Sequence, residues 1–259
     1  MTTIRVEIEN EIGWAVLDRP DSVNSLNDEM RRALPAVLAR LDADPAVRVI
    51  VLRGEGSRGF CAGADIKEAR APETLLEMRD RLTRDAWIRA FPATRKPIIA
   101  AIHGACMGGG FEVALACDLR VATRDAVFAL PEVGLGLIPG AGGTQRLPRM
   151  IGTSRAMAMI LKGDRYSAQD LAETGLIVQI SDDADALIAD TRALALRLAR
   201  QPPVALLAAK AAVLAAMELP MSAGMDHEQH LFLACAQSED RKEAALAFKD
   251  KRQPAFSGR

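Results

Sequence analysis

Two apolar runs of strand length, RVIVL (48–52) and PIIAAI (97–102), each lead directly into a glycine-rich segment. The first segment is GEGSRGFCAGAD (54–65), and the second lies in HGACMGGGFEVALACD (103–118). A third glycine-rich stretch, FALPEVGLGLIPGAGGTQRLP (128–148), begins in a further short apolar run. Short strands without polar alternation are strands buried on both faces, and glycines beside them let a ligand or another stretch of backbone come close. A chain built this way needs helices to cover both sides of its sheet, which points to an α/β architecture.

The remaining pattern agrees. Ile4, Val6 and Ile8 alternate with polar residues, and residues 14–17 add a second apolar run, so the N-terminus reads as a hairpin. Asn27 is placed to cap a helix reaching about Leu41, with Leu34, Val37, Leu38 and Leu41 at helical spacing. A charged helical stretch is expected over Pro72–Ile88, a short helix over Gly109–Cys117, and strands over Leu119–Ala122 and Val127–Ala129. Thr153–Leu161 reads as helix, and Ser167 with Asp170 as a capping box for the helix ended by Gly175. From Asp182 onward strand signals almost vanish. Leu187 to Leu198, Pro202–Met217 and His227–Phe248 give three helical patterns, a C-terminal appendage to the α/β core.

At 259 residues the chain suits one large domain, or a domain with an appendage. A net charge of −1 gives no reason to expect nucleic acid or an acidic membrane as partner, so a phosphate-bearing ligand must be met by a local basic patch. Cys61, Cys106, Cys117 and Cys235 have no CxxC spacing and read as reduced thiols of a cytosolic chain. With no leader pattern at the N-terminus and no run of 18 apolar residues, the expected location is cytoplasmic.

The glycine loops differ in what they can do. Gly54 to Gly59 matches GxGxxG after a strand, but no helix opens at the last glycine. The region twenty residues on is helical rather than an acid-ended strand, so a nicotinamide site is disfavoured. In the second loop Gly108-Gly109-Gly110 leads into a helix whose free N–H groups and dipole suit an anion, and Glu112 lies one turn away on the same face. Glu112 is equally readable as a simple partner of that dipole. Glu132 follows Pro131 after an apolar run; for such a position the solvated loop edge is the commoner outcome, and a buried acid with a raised pKa the more interesting one. His227 and His230 share a helix face without a third ligand in view, so no metal site is expected, and His103 at a strand end reads as structural. Lys249, Lys251 and Arg252 form a basic cluster best read as a solvated helix end.

Four segments in order, FCAGADIKE (60–68), KPIIAAIHGACMGGGFEVALACD (96–118), LPEVGLGLIPGAGGTQRLPRMIG (130–152) and SEDRKEAALAFKDKRQPAF (238–256), resemble the crotonase superfamily of enoyl-CoA hydratases and isomerases. The resemblance implies a crotonase-like spiral of strand-strand-helix repeats over residues 1–200, carrying the acyl-CoA site, and a C-terminal helical trimerisation region over 201–259. It also implies a homo-oligomer, trimer or dimer of trimers. The implied substrate is an acyl-CoA thioester, coenzyme A being part of the substrate and no further cofactor being needed. Its carbonyl oxygen would be held by the N–H groups of Ala64 and Gly109. Ala62, Asp65 and Ile66 would cradle the adenine, with Lys67 near the phosphates and Lys249 or Lys251 of a neighbouring subunit assisting. Gly140 would lie beside the catalytic water. Hydratases of this kind keep both acids, so Glu112 and Glu132 favour hydration of a trans-2-enoyl-CoA over double-bond isomerisation or acyl-CoA dehydration. Leu130 stands where broad-range hydratases often carry glutamine, which leaves the acyl group open.

Overall fold

In the computed structural model, residues 3–68, 72–84 and 86–259 are described. Ile4–Glu9 (β1) and Ile12–Leu17 (β2) form the expected antiparallel hairpin, turned by Asn10 and Glu11 at positive φ. The side chain of Asn27 accepts from the Met30 N–H at 2.9 Å and starts helix α1, Asp28–Ala43, whose buried face is Met30, Leu34, Leu38 and Leu41. After Val49–Gly54 (β3) come helices α2 (Leu75–Arg84) and α3 (Ala90–Ala93). The single helix expected over Pro72–Ile88 is therefore shorter, with a separate 3-10 turn at Trp87–Arg89; Asp85 lies outside the described residues.

Two strand-strand-helix turns follow. Ile98–Ile102 (β4), Ala105–Met107 (β5) and helix α4 (Gly109–Ala116) make the first. Leu119–Thr123 (β6), Val127–Ala129 (β7) and helix α5 (Gly143–Ile151) make the second, continued by α6 (Thr153–Lys162). In each turn the first strand joins a large sheet and the second a small one. The large sheet runs β1-β2-β3-β4-β6-β9, parallel beyond the hairpin; β9 is Gln179–Ser181. The small sheet is β5-β7-β8, with β8 at Tyr166–Ser167. Ser167 and Asp170 form the predicted capping box for α7, Ala168–Ala172.

The large sheet is covered on both faces, which explains its unbroken apolar strands. Ile50, Leu52, Ile98, Ala100 and Ile102 face the larger core with α1 and α4. Val49, Val51, Ile99, Ala101 and Val121 face Leu187, Leu194, Ala195 and Ala199 of helix α8, Ala184–Ala199.

The C-terminal helices are α9 (Pro203–Ala215), α10 (Met221–Gln237) and α11 (Glu239–Lys249). What reads as one pattern over His227–Phe248 is two helices. Ser238 is extended, and its Oγ accepts from the Arg241 N–H at 3.1 Å, so the chain stops one helix and caps the next. Helix α9 is tied to the core by Lys210, whose Nζ donates to Asp118 Oδ2 at 2.6 Å and to the Lys96 carbonyl at 2.9 Å. Among the described residues no helix is long and apolar enough to cross a membrane.

The contact that positions the site is backbone against backbone. The segment after β3 runs beside the one after β4, with bridges Gly59 to Gly104 and Cys61 to Cys106. The first turn of α4 then packs so tightly that a Cβ on Gly110 would stand 2.3 Å from the Cys61 carbonyl oxygen. Gly110→Ala is expected to push these segments apart and to cost about 1–3 kcal/mol as an overpacked core position. Chemical denaturation of the purified variant measures this; unchanged stability would contradict the packing.

Candidate active site

Leu26 pairs with the backbone on both sides of Ala64: its N–H donates to the Gly63 carbonyl at 2.8 Å, and its carbonyl accepts from Asp65 at 3.1 Å. In a strand-like bridge this turns the N–H of Ala64 itself to the opposite side. There it meets the start of α4. A Cβ built on Gly109 would stand 3.7 Å from the Ala64 nitrogen, and one on Gly63 would stand 3.3 Å from the Gly109 nitrogen. Neither N–H donates to any acceptor among the described residues. Gly109 is the first residue of α4, so its N–H is one of the helix's free donors and carries the dipole's positive end.

Glu112, on the first turn of α4, is only 3% exposed. Its Oε1 accepts two backbone hydrogen bonds, from Ala141 and from Gly143, each 2.7 Å. Gly143 is the first residue of α5, so the carboxylate sits at that helix's positive end and caps it from a different helix. Its second oxygen, Oε2, accepts no hydrogen bond among the described residues. Burial pushes the Glu112 pKa above the usual carboxylate range. The Gly143 and Ala141 amides pull it back, the charge of Glu132 raises it, and that of Arg146 lowers it.

Glu132 opens a 3-10 turn, Glu132–Leu135. It is partly buried rather than a solvated loop edge, and its Oε2 is inaccessible and has no hydrogen-bond partner. Burial raises its pKa, against only its own backbone N–H. Its Oε1 lies near the glycines that precede α4, since a Cβ on Gly108 would stand 3.0 Å away. The flanking sequence left this burial undecided because what encloses Glu132 comes from residues distant in the chain.

The structure thus places Glu112, Glu132, Ala64 and Gly109 around the junction of three glycine segments. Gly140 begins the turn that serves Glu112, but the donors are Ala141 and Gly143. Those two amides, and helix α5 itself, went unread in the sequence. The signal was present in Gly142-Gly143, the same glycine-before-helix arrangement as at Gly108-Gly109. Around the rim, Ala62 is exposed and Ile66 is 87% exposed. Asp65 is held by Arg19 at 2.8 Å, a contact that lowers its pKa. Lys67 is exposed, its N–H donating to Asp65 Oδ1 at 3.1 Å. His103 holds the Gly56 carbonyl through Nε2 at 2.8 Å, a structural contact. Lys249 and Lys251 are exposed and form no ion pair among the described residues, whereas Arg252 pairs with Glu243.

An α/β chain with this sheet order and two acids at a helix-terminal amide pair matches known proteins along nearly its whole length. The family model described as enoyl-CoA hydratase/isomerase matches residues 7–259. Among curated relatives, the 2,3-dehydroadipyl-CoA hydratase of Escherichia coli is 38% identical over 259 residues, covering 100% of both chains. The (E)-benzylidenesuccinyl-CoA hydratase of Thauera aromatica is 38% identical over 256 residues, covering 98% of this chain and 99% of the relative. Among solved structures, an enoyl-CoA hydratase from Bacillus anthracis superposes with a TM-score of 0.93 at 35% identity, covering 99% and 100% of the two chains. The chain belongs to the enoyl-CoA hydratase/isomerase family, the crotonase superfamily.

The environment of Glu132 has a measurable consequence for stability. An acid whose pKa is raised by folding destabilises the fold at pH above that raised value, and the penalty disappears as the pH falls to the ordinary glutamate value. Glu132→Gln removes the charge and keeps the shape. Its Tm is expected about 1–3 °C above that of the unmodified chain at pH 8, a relief of under about 1 kcal/mol. The gap should close toward pH 4.5; a gap that widens on acidification would contradict the burial of this carboxyl.

Proposed function

We propose that the chain is an enoyl-CoA hydratase, adding water across the 2,3 double bond of a trans-2-enoyl-CoA to give a 3-hydroxyacyl-CoA. The observation that carries this is a buried and a half-buried acid in unlike surroundings beside two unengaged N–H groups. Glu112 has two amide donors and a nearby guanidinium, which favour its ionised form. Glu132 has a buried oxygen with no donor, which favours its protonated form. Two carboxyls whose surroundings divide them this way suit a base and an acid.

The steps follow. The thioester oxygen accepts from the N–H groups of Ala64 and Gly109. Water adds to C3 as Glu112 takes its proton, and the π electrons move to the thioester oxygen as an enolate. The enolate collapses as C2 takes the proton of Glu132. Passage of the proton from Glu112 back to Glu132 restores the starting state, so the sum is one water added. Each N–H of an oxyanion site is worth about 3–4 kcal/mol, and the dipole of α4 acts in the same sense. As written, the reaction draws on acid-base groups and main-chain amides alone.

The stretch that follows Glu132 carries Leu135, Leu137 and Ile138 exposed, which supports a hydrocarbon acyl tail rather than one bearing a second carboxylate. Exposed Met221, Phe232, Leu233 and Phe248 on the C-terminal helices support a homo-oligomer built through them.

Glu112→Gln and Glu132→Gln are each expected to lower kcat for crotonyl-CoA hydration by about 10²–10⁴-fold, with ester binding retained. Loss of enoyl-thioester absorbance follows the reaction. Ala64→Pro deletes one donor and should cost about 10²–10³-fold in kcat. Turnover in either glutamine variant equal to that of the unmodified chain would overturn the assignment of the acids. If 3-enoyl esters were converted to 2-enoyl esters with no water added, double-bond isomerisation would replace hydration as the reading.

A further inference from the structure

Helix α5 carries a cation whose position is tied to Glu112. Arg146 lies one turn into the helix, and its Nη1 donates to the Ala141 carbonyl at 2.9 Å. The N–H of that same residue donates to Glu112 Oε1. Ala141 is thus held at both polar groups, one by the guanidinium and one by the carboxylate.

Gly142 completes the arrangement. Its φ is +100°, and a Cβ there would stand 2.2 Å from Arg146 Nη1. The guanidinium occupies the space a side chain at position 142 would need. Among the described residues Arg146 forms no direct ion pair, and its charge is not spent on a nearer carboxylate. We propose that Arg146 is a positioning residue for Glu112: it clamps the 140–143 turn onto the carboxylate and supplies the fixed positive charge facing it. The proposal rests on the reading of Glu112 as the base.

The other groups around Glu112 do not duplicate that charge. Glu132, from the 3-10 turn after β7, opposes it when ionised and adds no positive charge when protonated. The thiols of Cys61 and Cys117 are pushed up to about 12 by burial and are neutral at working pH. Arg120, from β6, is turned away onto the carbonyls of Ala114, Cys117, Asp118 and Leu176. Burial raises the Glu112 pKa and lowers that of Arg146, and the charge of each counters the shift of the other. The Gly143 and Ala141 amides favour the Glu112 carboxylate most, and the Arg146 guanidinium adds to them in the same sense.

Three substitutions separate charge from clamp. Arg146→Gln keeps a donor for Ala141 and loses the charge, Arg146→Lys keeps the charge, and Arg146→Met loses both. The Glu112 carboxyl of the full-length enzyme is followed by ¹³C NMR of labelled glutamate, assigned with Glu112→Gln. It is expected to titrate at higher pH in Arg146→Gln and Arg146→Met, and near the unmodified position in Arg146→Lys. The acid limb of kcat/KM for crotonyl-CoA should move the same way. Each pH unit of that movement is about a tenfold loss below the limb, with KM changing less than about twofold. An unmoved Glu112 titration in the Gln variant overturns the proposal. So does an equal loss of kcat/KM at every pH, which marks a clamp and nothing more. Should Arg146→Met fail to fold, the Gln and Lys variants decide the matter. The NMR titration needs no turnover, so full activity in Glu112→Gln would sink the hydratase reading while the titration still judged Arg146.

Discussion

The close passage of two backbones, residues 59–65 beside 104–110, is the constraint on which the rest of the molecule depends. Cross-strand bridges at Gly59 and Gly104 and at Cys61 and Cys106 fix its register, and the absence of a side chain at Gly110 permits it. Slippage by one residue would carry the amide of Ala64 away from the start of α4. The large parallel sheet, buried on both faces, holds β3 and β4 side by side so that the segments leaving them must meet.

On that frame the electrostatics are local and asymmetric. Glu112 is buried, Glu132 is half-buried with one inaccessible oxygen, and both are pushed toward the neutral form. The difference between them comes from what surrounds each one. Glu112 has two amides, a helix terminus and a guanidinium, while Glu132 has an oxygen with no donor. In the proposed reaction a division of labour between the two carboxyls therefore needs no difference in residue type. It needs main-chain donors on one carboxyl and a buried oxygen without a donor on the other.

Much of this was legible in the sequence. RVIVL and PIIAAI, the Asn27 cap and the Ser167 capping box are local signals strong enough to name their elements. The glycine triplet at 108–110 pointed to an anion-binding helix start. Strands β5, β8 and β9, at two or three residues, are too short to show any period and exist because distant partners pair with them. Helix α5 was hidden by the glycines before it, which read as loop. The burial of Glu132 was illegible for a different reason. Whether a carboxyl is wet depends on what covers it, and the neighbours of Glu132 in sequence do not do the covering.

Glu112 is a proposed reagent and also a joint. Its Oε1 closes the open end of α5 through Ala141 and Gly143, so the helix that borders the site takes its starting point from the side chain proposed to do chemistry there. A redesign aimed at a one-acid reaction could not simply delete this carboxyl. It would first have to find another acceptor for two stranded main-chain donors, or the loop beside the proposed site would lose its footing.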